Sequence, residues 1–255
     1  MTPVVFLEAL ALGVPVGLAL GLVGGGGSIL AVPILIGVLG LAPKAATSAS
    51  LVIVAVNAAS ALRGYLRDKL VQYQMALTLT TTGLVGSFAG TALNHLINPR
   101  VLTFTFVGLM ILIAIRMLRS SSLPKTELPK HSEVVTPLKL VLAGSLIGLT
   151  TGFFGVGGGF IIVPALLMLG LPMRRAVPTS LLVIALNSLV ALGLRLIAGS
   201  EVPLGYALPM ILGGVAGSSL AVLIAPRLGN LGLVRTFAVL ILVLAAYLGL
   251  ISLRV

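Results

Sequence analysis

GLALGLVGGGGSILAVPIL, residues 17–35, decides how this chain is read, because a counterpart, GLTTGFFGVGGGFIIVPALL, occupies residues 148–167. At an offset of 131 residues, Gly17, Gly21, Gly24, Gly26, Gly27 and Pro33 fall opposite Gly148, Gly152, Gly155, Gly157, Gly158 and Pro164. Each copy is an apolar segment interrupted by glycines and resumed as a short apolar limb. Paired broken helices in a duplicated membrane protein are implied.

Composition sets the class. With 58% hydrophobic residues, 8% charged and a mean hydropathy of +1.23, the 255-residue chain has too little polar surface to cover a soluble globule. Its apolar stretches suit helices, since about 20 residues cross a hydrocarbon core of about 30 Å, and they lack the alternation of a membrane barrel. Glu8 stands where a cleavable signal needs basic residues, so the first apolar segment is expected to be retained. The absence of cysteine excludes disulfides and thiolate metal sites, and no metal or cofactor is expected. The net charge of +11 is scattered among short loops, as topogenic charge facing anionic lipid is, rather than gathered for nucleic acid.

The expected fold is an all-α polytopic membrane protein of two inverted-topology repeats, each a re-entrant or broken-helix hairpin plus about three transmembrane helices. Residues 1–119 form the first repeat, 120–137 a polar cytoplasmic linker and 138–255 the second repeat. Beyond the glycine break, a one-residue deletion puts Ser50 opposite Ser180 and Asn57 opposite Asn187; farther on, GLVGSFAG from Gly83 resembles GGVAGSSLA from Gly213. Residues 4–41 as one helix would measure roughly 57 Å, while 29–41 alone gives about 20 Å. Neither a single nor a double crossing fits, whereas a hairpin whose tip is buried in protein does. The hairpin reading also divides the basic residues twelve against four, with Arg63, Arg67, Lys69, Arg174, Arg175, Arg227 and Arg235 among the twelve and Lys44, Arg100, Arg195 and Arg254 opposite. That asymmetry marks the cytoplasmic side and leaves both termini outside.

The tips carry the chemistry. Glycine admits positive φ and close approach, and the limb after it presents unpaired N–H groups that attract anions. Two such starts meeting near the midplane make an anion site; the alternative is a small-residue packing seam. Candidate binding residues are Gly24, Gly26, Gly27, Ser28, Gly155, Gly157, Gly158 and Gly159 at the tips, and Thr47, Ser48, Ser50, Thr179 and Ser180 where the next helices begin. Asn57 and Asn187 join them, seven residues beyond Ser50 and Ser180 and so on the same helical stripe. Interhelical hydrogen bonding is the alternative for these two. Glu8 is the candidate for carrying a coupled proton, the substrate itself being the other, and Lys44, Arg174 and Arg175 either funnel anions or set topology.

On these residues the chain resembles the TauE/SafE family of sulfite exporters, also called the toluene sulfonate uptake permease family. The likeness rests on GLVGGGGSILAVPIL and GFFGVGGGFIIVPALL, on the TSAS and PTS hydroxyl clusters, and on Asn57 and Asn187. It covers nearly the whole chain. It implies a multi-pass inner-membrane permease moving sulfite, sulfonates or other small organosulfur or carboxylate anions, with the glycine tips and the Thr, Ser and Asn positions as binding residues. Ser28 stands where the second half has Gly159, so the two tips are chemically unequal.

The favoured function is therefore a secondary transporter of small anions, not an enzyme, with lipid around it and a homodimer as a candidate assembly. An uncoupled anion channel or exporter is the alternative, though no charged ring marks a filter. A membrane-embedded hydrolase would need Ser28 and His95 as nucleophile and base, without any GxSxG signature.

Overall fold

The computed structural model describes residues 3–94, 99–120, 136–154, 159–197, 199 and 201–254. Every regular element among them is a helix: α1 Pro3–Val23, α2 Gly26–Gly37, α3 Pro43–Leu66, α4 Tyr73–Asn94, α5 Pro99–Ser120, α6 Pro137–Phe154, α7 Gly159–Met168, α8 Met173–Ile197 and α9 Leu204–Arg254. The last is two limbs, 204–228 and 230–254, joined at Gly229, whose φ of 62° and ψ of 178° are not helical. Among the described residues four helices are long and apolar enough to cross a membrane: α1, α3, α8 and the greater part of α9. The chain is an all-α, multi-pass membrane protein.

The first glycine break is a reversal, not a kink. Gly24 has φ 74°, a conformation glycine adopts without steric cost, and its N–H closes α1 on the Leu20 carbonyl at 2.7 Å. Three residues later, a β-carbon on Gly27 would overlap the Val16 carbonyl and stand 2.7 Å from Leu20 Cβ. A straight helix would place Gly27 a turn beyond Val23, so α2 must fold back along α1. Gly26 packs against Ala19 of α1 and Leu240 of α9. Both glycines thus permit the limbs to close. The short helices α2 and α7 end alike, at Gly40 (φ 68°) and Gly170 (φ 88°), each with a proline soon after, Pro43 and Pro172.

The halves interlock through two seams of glycine. On α1, a β-carbon at Gly13, Gly17 or Gly21 would collide with Met210, Gly214 or Ala221 of α9. On α6, one at Gly144, Gly148 or Gly152 would collide with Thr82, Gly83 or Ser87 of α4. Along both seams the numbers rise together, so each pair is parallel. Each seam joins the first helix of one half to a helix of the other. The contact of Gly17 with Gly214 becomes, on shifting each residue by 131, that of Gly148 with Gly83. The true counterpart of Gly83 is therefore Gly214, one residue beyond Gly213, because parallel backbones touching at every fourth residue tolerate no slippage.

Between the seams, α3 and α8 pack antiparallel. Arg195, near the end of α8, donates to Ser48 Oγ at 3.3 Å and to the Lys44 carbonyl at 3.5 Å, both at the start of α3. At the other pole the end of α3 and the start of α8 share a cleft through Tyr65 and Arg174. Roughly 36 Å of helix separates the poles.

Gly17→Ala and Gly148→Ala should each destabilise the protein by about 1–3 kcal/mol through overpacking, read as a lower melting temperature in detergent. Gly193→Ala, where a β-carbon meets nothing within 4 Å, should be neutral or gain up to about 1 kcal/mol.

Candidate functional site

The interior is polar without being charged. Among the described residues every buried polar side chain is neutral: Ser28, Ser48, Ser50, Asn57, Thr80, Thr179, Ser180, Ser188 and Ser218. Among them, too, no group of three or more His, Cys, Asp or Glu is placed to hold a metal ion.

The structure brings the starts of the two short helices together. Ser28, in the first turn of α2, donates to the Gly25 carbonyl at 2.9 Å, and a β-carbon on Gly159, the first residue of α7, would overlap its hydroxyl oxygen. Gly24 lies against Ser180 Oγ, Val163 Cγ2 and Val177 Cα, so the first tip is wedged between α7 and the start of α8. Gly155, Gly157 and Gly158 lie outside the described residues, as does His95. The difference between Ser28 and Gly159 is structural as well as chemical: the missing β-carbon of one makes room for the hydroxyl of the other.

Breaking a helix leaves carbonyls without intrahelical partners. One of them, Gly21, accepts a 2.8 Å hydrogen bond from the buried Tyr65 hydroxyl. Tyr65 also lines the cleft at the Arg174 pole with Asp68, Val177, Pro226 and Leu233, and thus stands between the first tip and the surface. Sequence reading missed it. The available signal is its position 130 residues before Arg195, which spans the opposite pole by bonding Ser48. Equivalent places in the two halves hold a phenol and a guanidinium.

Most hydroxyls expected at the site spend their protons on their own helix. Ser48 donates to the Lys44 carbonyl at 3.2 Å, Ser50 to Thr47 at 2.9 Å, Ser180 to Val177 at 2.7 Å and Thr179 to Arg175 at 2.7 Å, while Thr47 bonds back to Pro43. Such back-bonding satisfies a hydroxyl in a helix. Thr179 also accepts from the Gln72 N–H at 3.1 Å, tying α8 to the start of α4. Ser180 alone of these is seen at a tip; Thr47 and Ser48 sit at the Lys44 pole. Glu8 is exposed on α1, and its 16-residue separation from Gly24 is roughly 24 Å of helix.

The asparagines behave differently. Asn57 is fully buried, its carboxamide pressed against the Gly214 backbone, and neither its Nδ2 nor its Oδ1 has a hydrogen-bond partner. Asn187 Oδ1 and Thr80 Oγ1 are buried and unpartnered as well. Counting nine residues inward from Ser48 and eight from Arg195 brings Asn57 and Asn187 to the same height in the α3–α8 pair.

A family model described as sulfite exporter TauE/SafE matches residues 9–248. The chain belongs to that family. A probable membrane transporter protein of Xylella fastidiosa strain Temecula1 is 36% identical over 239 residues, covering 91% of this chain and 90% of that protein. One from Methanocaldococcus jannaschii is 31% identical over 77% of this chain and 76% of its own length, and YunE of Bacillus subtilis, another probable membrane transporter protein, is 26% identical over 95% and 97%. No solved structure matches the chain significantly. Membership makes this a membrane transport protein, and transport is the role against which the buried carboxamides are to be judged.

Tyr65→Phe, which keeps the ring and removes only the hydroxyl, should leave the Gly21 carbonyl buried and unpaired at a cost of about 1–3 kcal/mol, measured as a lower melting temperature.

Proposed function

We propose that this TauE/SafE family member is a secondary transporter of small anions, with sulfite, sulfonates and related organosulfur or carboxylate anions as the substrate class. The observation that carries this reading is the meeting of the α2 and α7 starts at Ser28 and Gly159 inside a bundle whose described interior holds no buried charge. Helix starts direct N–H groups and positive dipole ends at a bound anion, each worth about 0.3–1 kcal/mol and up to ~2 kcal/mol when partly buried. An anion held by dipoles rather than by a buried cation can leave again, as a transport cycle requires.

Ser28, Ser180, Asn57 and Asn187, with glycines 24, 26, 27, 155, 157, 158 and 159, form the binding region in this reading. Ser50 belongs to the matching position in the first half. Thr47, Ser48 and Thr179 act beside it, at helix starts that must move when the site opens. The repeats insert in opposite senses, with the Arg174 pole cytoplasmic in a cell inner membrane. The cleft beside Tyr65 faces that pole, and the Arg195 bonds to Ser48 and Lys44 cross the other, an arrangement suited to access from one side at a time. The exposure and distance of Glu8 favour a proton carried by the substrate. Lipid surrounds the bundle, and a homodimer is its proposed assembly.

Purified protein in proteoliposomes should take up sulfite or a sulfonate faster under an imposed pH gradient, with Glu8→Gln retaining the response and Asn187→Ala reducing flux at least about tenfold. Flux indifferent to the gradient would make the protein an uncoupled channel. Cysteines introduced singly at Ser122 and Arg174 should react with an impermeant reagent from one side, and one at Lys44 from the other; labelling of all three from the same side would overturn the inverted insertion.

A further inference from the structure

We propose that Thr80 is an additional substrate-binding residue, its hydroxyl donating to the anion beside Asn187. This rests on the transport reading above and names a contact that neither the glycine repeat nor the asparagine stripe contains.

Thr80 belongs to a run of hydroxyls on α4, Thr78, Thr80, Thr81 and Thr82. Three of the four bond to the helix itself: Thr78 to Gln74 at 2.9 Å, Thr81 to Leu77 at 3.0 Å and Thr82 to Thr78 at 2.7 Å. A threonine in a helix reaches a preceding carbonyl simply by choice of rotamer. Thr80 does not, although it is 6% exposed and its Oγ1 is shut away from solvent. Burying a hydroxyl without a partner is unfavourable, and native structures keep few such groups without a reason.

Its position supplies the reason. Both α4 and α8 begin at the Arg174 pole, where the Gln72 N–H bonds Thr179 Oγ1, and they run parallel from there. Thr80 lies eight residues beyond Gln72, and Asn187 eight beyond Thr179, so the two reach the same height. Asn57 reaches that height on α3. On α8, Ser180 touches the first tip at Gly24, Ile184 lies 3.2 Å from where a Gly159 β-carbon would stand, and Asn187 follows one turn later. The three side chains with buried unpartnered atoms among the described residues therefore share one level of the bundle, next to the paired helix starts.

The chemistry is selective. Asn57 Nδ2 and Thr80 Oγ1 are unspent donors, whereas the back-bonded serines and threonines around them have committed their protons. An oxyanion accepts from the Thr80 hydroxyl, and a protonated one such as hydrogensulfite can in turn donate to Asn187 Oδ1. A substrate with a single small oxyanionic head matches this set. A bulky apolar anion would leave the donors unpaired.

The test uses the full chain in detergent, with sulfite and taurine as probes and thermal melting as the readout. Thr80→Val is isosteric and removes only the hydroxyl, so the probe-free protein should melt no lower than wild type. The sulfite-induced rise in melting temperature should fall to the level of at least about tenfold weaker binding, with Thr80→Ser restoring it and Thr81→Val leaving it intact. A lower melting temperature for probe-free Thr80→Val would give the hydroxyl a structural role and overturn the proposal. So would a sulfite response undiminished in that variant, while leaving the transport reading untouched. A wild-type protein that responds to neither probe, nor to acetate, would overturn the anion reading and the role of Thr80 with it.

Discussion

Backbone touching backbone along two glycine seams is the constraint on which this structure depends. In a hydrocarbon solvent, apolar side chains gain little by leaving lipid for protein, so helices associate through close packing and weak backbone contacts. Gly17 against Gly214, and Gly148 against Gly83, allow an approach that a β-carbon on Gly17 or Gly148 would block. Because each seam joins a helix of one half to a helix of the other, neither half has its full set of neighbours alone. The same crossing brings the two short helices face to face, each arriving from a hairpin or break anchored on its seam.

Backbone polarity then governs the interior. Breaking a helix inside a membrane protein frees carbonyls at one end and N–H groups at the other, and each must find a partner within the protein. The Tyr65 hydroxyl serves the Gly21 carbonyl. The starts of α2 and α7 meet each other at Ser28 and Gly159. In the anion-transport reading proposed above, helix starts would hold the substrate through N–H groups and dipole ends in place of a buried cation.

The two halves share a backbone plan without sharing chemistry. Where the first half ends α3 with Tyr65, the second ends α8 with Arg195; where one tip carries Ser28, the other carries Gly159. Asn57 is sealed against Gly214, while the equivalent glycine, Gly83, has backbone of α6 as its neighbours. Matching seams thus carry differing side chains at their two poles.

Much of this was legible in the sequence. Composition determined the membrane class, the run of glycines located the first reversal at Gly24, and helix lengths argued for a hairpin there, because these depend on hydropathy and on the rise of a helix. Asn57 and Asn187 stood out because a carboxamide within an apolar run is costly wherever it points. Tyr65 and Thr80 did not. A tyrosine at a helix end and one threonine in a run of four look ordinary until tertiary structure sets one beside an orphaned carbonyl and leaves the other without a partner. Only the fold could show that the halves interlock, that the register across the seams is 131, and that most site hydroxyls are already committed to their own helices. Those facts reside in contacts between segments more than a hundred residues apart, to which local composition and periodicity are blind.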